Sequence, residues 1–295
     1  MSVKGKIVTD MIRFFTSQKM LGPKIQDGTL RKNLVEPPWH CPDEYLNLPI
    51  HMRQFEMELL TPKAADNGEV VLQLHGGGYI AKIRNAYRDF AVRYSKIDQY
   101  RVLSVDYRVA PQHPYPAAFQ DAIEAYRWLL YSGFSGDRII LAGDSAGGGL
   151  VLALAMYLRD QSMPLPKKLV MMSPWTDLTA SGPSYQENYE NDPLFGNTRE
   201  SMIYNGDYAG KQDPKLPYIS PLFGDFHGLP PMLFQVGSLE MLLSDSVLAA
   251  QKAKEAGCDV TLTVYQDMFH VFQLSMDKLA ESRKAWDEVA AFLGK

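Results

Sequence analysis

The chain has 295 residues, 46% apolar and 22% charged, a balance that can build a sizeable core and excludes a largely disordered polymer. Thirty basic against 34 acidic residues leave a net charge of −4, without the concentrated basic surface that phosphate contacts need, so no nucleic-acid partner is expected. The two cysteines, Cys41 and Cys258, match no metal-ligand spacing and read as reduced thiols of a cytoplasmic protein, with no metal site.

At the start of the chain, Lys4 and Lys6 mimic the basic end of an export signal, but Asp10 and Arg13 interrupt the apolar stretch that should follow. No segment approaches the roughly 20 apolar residues of a membrane span. Ile7, Val8, Met11, Ile12 and Phe15 recur at helical spacing, which predicts a helix over a binding site or the core, with a membrane-surface helix as the alternative. The rest of residues 1–50 reads as irregular and partly helical, with Lys24, Arg31 and Lys32 on a solvated face and a Pro-rich end at Pro37, Pro38 and Pro42.

Met52, Phe55, Met57 and Leu59 suggest a strand closed by Thr61-Pro62. Short apolar runs follow at 70–74, 102–105, 139–142, 169–172, 232–236 and 260–264. Helix-like stretches separate them near 86–98, 117–131, 146–160 and 244–256, and another lies at 276–293. Continuous apolar strands alternating with helices predict an α/β fold with a mainly parallel central sheet covered on both faces. Residues 178–228 break this rhythm with Gly, Pro, Asn, Asp and aromatic residues, the mark of an insertion over a site. The predicted organisation is therefore 1–50 as the N-terminal part of a helical cap, 51–177 and 229–295 as two parts of one catalytic domain, and 178–228 as the cap insertion.

The run 138–142 leads into Gly143-Asp144-Ser145-Ala146-Gly147 and then into the helical pattern of 150–154. That is G-x-S-x-G between a strand and a helix, where small neighbours let the chain turn sharply and lift Ser145 above the sheet as a nucleophile. Run 70–74 ends in His75-Gly76-Gly77-Gly78-Tyr79. Glycines there leave N–H groups open toward a substrate oxygen, and the expected oxyanion donors are Gly76, Gly77 and Ala146. A phosphate loop would need a different glycine spacing, which is absent. His75 precedes Ser145 and reads as a brace for the glycine loop.

Only His227 and His270 follow Ser145, and His270 lies in the loop after run 260–264, so it is the expected base. Glu240 stands just past run 232–236 and is the expected acid, ahead of Asp245, which suits a helix start, and of Asp267.

Together these motifs resemble the hormone-sensitive-lipase-like family of esterases, marked by HGGG and GDSAGG, over about residues 68–275. Asp106-Tyr107-Arg108-Val109-Ala110-Pro111 with His113-Pro114, Ser173-Pro174-Trp175-Thr176-Asp177-Leu178, and His270-Val271-Phe272 extend the likeness. The resemblance implies an α/β-hydrolase fold with a cap, hydrolysis of short-chain acyl esters as small-molecule substrates, no cofactor, and homodimerisation through the last edge strand. Glu240 stands where that family more often has Asp, Val271 where it has Gly, and Lys82 where a further Gly is usual, which would narrow or charge the pocket mouth. An amidase or small peptidase with the same triad, and a small-molecule receptor without catalysis, are the competing functions. Phe14, Phe15, Trp39, Tyr185, Tyr189, Phe195 and Tyr208 either line a pocket or pack the cap on the sheet.

Overall fold

A computed structural model describes residues 3–16, 36–196 and 206–294, apart from some side chains of the first helix; Phe15's side chain and the Lys24, Arg31 and Lys32 group lie outside what it describes. Eight strands form one sheet: β1 (Tyr45–His51), β2 (Glu56–Pro62), β3 (Val70–Leu74), β4 (Arg101–Asp106), β5 (Ile139–Asp144), β6 (Lys168–Met172), β7 (Met232–Gly237) and β8 (Val260–Tyr265). Their spatial order is β1-β2-β4-β3-β5-β6-β7-β8. The pairs β1–β2 and β2–β4 are antiparallel and every other pair is parallel.

β3, β5, β6 and β7 are buried along their whole length, as strands covered on both faces must be. Alternate side chains feed two core layers. Leu72, Leu74, Leu141, Met171 and Phe234 face α3 (Ala117–Tyr131), α4 (Ala146–Asp160) and α6 (Leu243–Glu255), while Val71, Ile140, Val170 and Leu233 face α2 (Asn85–Asp98) and α7 (Ala280–Leu293). α1 (Val3–Thr16) sets Val8 and Ile12 against Met268, Phe269, Phe272 and Leu279, beside the loop that carries His270. No helix among the described residues is long and apolar enough to cross a membrane.

Two expectations need correction. Residues 45–50 were expected outside the sheet, yet Tyr45–His51 is its edge strand, paired from Tyr45↔Pro62 to His51↔Glu56. Only Tyr45 of this strand is buried and Pro49 interrupts it, so it carries neither an apolar run nor a clean alternation. The strand expected from Met52 begins only at Glu56, because Met52 N–H donates to the Phe55 carbonyl in the connecting turn. Among its described residues the insertion 178–228 holds the four-residue α5 (Ser184–Glu187) and a short 3-10 turn at Pro221–Phe223.

β3, β5, β7 and β8 all run the same way, so Leu74, Asp144, Gly237 and Tyr265 end on one edge of the sheet. Open α/β sheets present their loops for chemistry on that carboxyl edge.

Candidate active site

Ser145 occupies the turn between β5 and α4 at φ 52° and ψ −124°, a conformation that L side chains rarely adopt. Close packing enforces it. A Cβ on Gly147 would run into the carbonyl oxygen of Leu74, so only glycine lets the first turn of α4 lie against the end of β3.

His270 Nε2 lies 2.9 Å from Ser145 Oγ, and His270 Nδ1 lies 2.8 Å from Glu240 Oε2. An ionised carboxylate only accepts, so Nδ1 carries the ring proton and Nε2 is left to accept from the serine hydroxyl. Glu240 is fully buried, while Ser145 and His270 are each 7% exposed. Glu240 Oε1 accepts from Ser173 Oγ at 2.7 Å and from the N–H of Gly237, and Ser173 Oγ in turn accepts the Val271 N–H at 3.1 Å. The buried carboxylate is therefore satisfied at both oxygens, and Ser173 ties it to the loop of its histidine. Sequence reasoning missed Ser173; its place directly after β6, in the Ser173-Pro174-Trp175 stretch, was the available signal.

Asp245 has a different task. Its Oδ2 accepts the N–H groups of Thr176 and Asp177 at 2.7 and 2.8 Å, strapping the chain as it enters the insertion, while its Oδ1 finds no partner among the described residues. Burial pushes its pKa up to about 8, against the pull of those N–H groups. Asp267 accepts from Gln266, and His227, exposed, pairs with Asp225. Neither is hydrogen-bonded to the Ser145 group.

The glycine loop departs from expectation at one position. Gly76 gives its N–H to Asp144 Oδ1 at 3.0 Å, so it is not open to a substrate oxygen. The N–H groups of Gly77, Gly78 and Ala146 have no acceptor among the described residues. Gly77 and Gly78 reach this arrangement at φ 113° and 63°, with the Gly77 carbonyl accepting from Ile80 and Ala81 to close the turn. Asp144 is held by the Tyr87 hydroxyl at 3.2 Å as well, and burial raises its pKa to about 6. His75 Nδ1 donates to the Gly76 carbonyl at 2.7 Å, and its ring stacks on Tyr107 with centroids 4.1 Å apart. Burial keeps that imidazole neutral by lowering its pKa. It braces the loop, as its position in the chain suggested.

Of the aromatics in the insertion, Phe195 sets its ring 4.8 Å from that of His270, and Tyr208 stacks on Tyr79 at 3.6 Å. Tyr185 is buried, Tyr189 packs partly buried on the core, and Phe14 of α1 is exposed. Lys82 lines a cavity of about 670 Å³ with Arg53, Tyr107, Val109 and His113, which includes neither Ser145, Glu240 nor His270. The Lys82 ammonium faces Asp106 at 3.9 Å. No cluster of side chains suited to a metal ion occurs among the described residues.

The raised pKa of Asp245 has a consequence for stability. An aspartate titrates near 3.9 when unfolded and here near 8, so between those values the folded state binds the extra proton. Stability from this group is full below about pH 4 and is lost as pH rises toward 8; Asp144 and Asp192, also raised by burial, act with the same sign. Asp245→Asn removes the largest share. Its unpartnered amide costs the same at every pH, so the readout is the difference across pH. Between pH 5 and 8 the melting temperature of the variant should fall less than that of the wild type by a few degrees, about 2–4 °C per kcal/mol. Parallel pH profiles would refute the assignment.

Residues 71–274 match a family described by its alpha/beta hydrolase fold. The chain is 39% identical over 230 residues to an acetyl-hydrolase of Streptomyces hygroscopicus, a match covering 78% of this chain and 77% of the relative. To an esterase of Acinetobacter venetianus it is 35% identical over 224 residues, covering 76% and 74%. A crystal structure of an esterase from the bacterial hormone-sensitive lipase family superposes with a TM-score of 0.86 at 35% identity, over 99% of this chain and 98% of that one.

Proposed function

We propose that this chain, which belongs to the α/β-hydrolase family and within it to the bacterial hormone-sensitive-lipase-like esterases, hydrolyses short-chain acyl esters through an acyl-enzyme on Ser145. That it is a carboxylic ester hydrolase follows from its relatives; the triad and the acyl preference are our reading. The observation that carries the reading is the continuous hydrogen-bond chain from Ser145 through His270 to a buried Glu240, at 2.9 and 2.8 Å.

Ser145 Oγ attacks the ester carbonyl carbon while His270 Nε2 takes its proton, and Glu240 stabilises the imidazolium that forms. The carbonyl oxygen, now carrying the negative charge, is received by the N–H groups of Gly77, Gly78 and Ala146 at the start of α4, where the helix dipole adds to their effect. As the tetrahedral intermediate collapses, the bond to the alcohol oxygen breaks and His270 returns the proton to it. Water then repeats the sequence on the acyl-enzyme, releasing the acid and restoring Ser145. Among the described residues, α1 against the His270 loop and Phe195 of the insertion against the His270 ring support reading these two regions as a cap over this edge, with Tyr45–His51 assigned to the sheet.

A series of p-nitrophenyl esters, run beside the p-nitroanilide of the same acyl group, tests the reaction class and chain length together. Turnover should be highest for acetyl to hexanoyl esters and at least about a hundredfold slower for the anilide. Comparable rates on the anilide would make the enzyme an amidase; a rise toward long acyl chains would overturn the short-chain reading.

A further inference from the structure

We propose that Asn188 and Asp192, in the first turns of the insertion, are positioning residues for the acid of the triad: together they grip the peptide unit between Glu240 and Met241 and so aim the carboxylate that orients His270. The inference rests on the Ser145–His270–Glu240 reading given above.

Asn188 Nδ2 donates to the Glu240 carbonyl at 2.8 Å and to the Ser238 carbonyl at 3.0 Å. Asp192 Oδ2 accepts the Met241 N–H at 2.7 Å. Both polar groups of one peptide bond, its C=O and its N–H, are thus held by two side chains of the insertion. Those side chains come from adjacent turns, since Asp192 N–H donates back to the Asn188 carbonyl at 2.8 Å. Fixing this peptide plane fixes the backbone from which the Glu240 side chain departs. The restraint matters more for a glutamate than for an aspartate, because an extra rotatable bond separates its carboxylate from the backbone.

The other oxygen of Asp192 extends the grip to the histidine. Oδ1 accepts the N–H groups of Leu194 and Phe195 at 2.8 and 3.0 Å, and the Phe195 ring is the one that lies 4.8 Å from the His270 ring. Asp192 is 2% exposed and is met by three N–H donors and, among the described residues, by no Lys or Arg side chain, which is the arrangement of a carboxylate used to hold backbone. The insertion therefore reaches the triad from two sides, through the peptide that carries the acid and through a ring against the base.

Asp192→Asn and Asn188→Ala, each made in the wild type and in a Glu240→Ala background, separate positioning from mere stability. The readouts are kcat and KM on p-nitrophenyl butyrate and the melting temperature. In the wild-type background each substitution should lower kcat about 10- to 100-fold with KM within about twofold, since displacements near 1 Å at a triad cost on that order. In the Glu240→Ala background Asn188→Ala should change kcat less than about twofold, because the group it aims is gone, and Asp192→Asn should cost less than in the wild type, keeping only what its hold on Phe195 contributes. Equal losses in both backgrounds overturn the proposal, as does a wild-type kcat in either folded variant. Asn188 is only partly buried, so its alanine variant carries the test where Asp192→Asn does not fold. Should Glu240→Ala itself leave kcat unchanged, the triad reading fails, and that outcome is distinct from failure of the grip.

Discussion

Ser145→Ala lowers the turnover of p-nitrophenyl butyrate about a million-fold, the scale seen when a triad nucleophile is removed, leaving the modest acceleration that the oxyanion donors and binding supply alone. The fold should survive the change. Alanine keeps the Cβ and meets the same strain at φ 52°, and the only side-chain hydrogen bond lost is the one to His270 Nε2, worth about 1 kcal/mol. Phenylmethylsulfonyl fluoride provides a second readout that does not depend on the choice of ester. Wild-type protein should gain one sulfonyl group on the peptide containing Ser145, and the variant none. Adding His270→Ala to Ser145→Ala should cost almost nothing more, because members of such a unit fail together rather than additively. A folded variant retaining even a hundredth of wild-type turnover would remove Ser145 from the mechanism.

Ser145, His270 and Glu240 were readable as candidates from chain order and from their positions just past apolar runs, because a parallel sheet delivers the ends of its strands to one edge. What the order of residues cannot express is which N–H groups are already spent. Gly76 and Gly77 are alike in sequence, yet the first is bonded to Asp144 and the second has no acceptor among the described residues. The same holds for the acids. Glu240 and Asp245 both follow β7 within a few residues, and only their partners separate them: His270 and Ser173 for one, the N–H groups of Thr176 and Asp177 for the other. The edge strand Tyr45–His51 escaped notice for a different reason. Periodicity reports burial, and a strand with one buried residue has almost none to report. Asn188 and Asp192 sit in a stretch with no period at all, and their contacts across 49 to 52 positions exist only in the folded chain.

Glu240→Gln should lower kcat about ten-thousandfold, and the hydrogen bonds around the carboxylate explain why an isosteric change costs so much. Ser173 Oγ and the Gly237 N–H both donate to Oε1, so a glutamine must place its oxygen there and turn its NH2 toward His270. That NH2 donates to Nδ1 and forces the ring proton onto Nε2, which then cannot accept from Ser145. Imidazole orientation is preserved while the tautomer is wrong, a defect known to cost about four orders of magnitude in enzymes of this kind. Glu240→Asp should be milder, about 10- to 100-fold, because the shortened side chain keeps the right charge but cannot reach both His270 and Ser173 from a backbone held in place. Asp245→Asn supplies the contrast: its partners are the N–H groups of Thr176 and Asp177, so kcat should stay within a few-fold of wild type. Measuring kcat for the three variants at one pH, with melting temperatures alongside, decides between the two acids. If Asp245→Asn were the damaging change and Glu240→Gln the silent one, the acid would be Asp245 and the buried Glu240 a structural group that merely lies against the histidine.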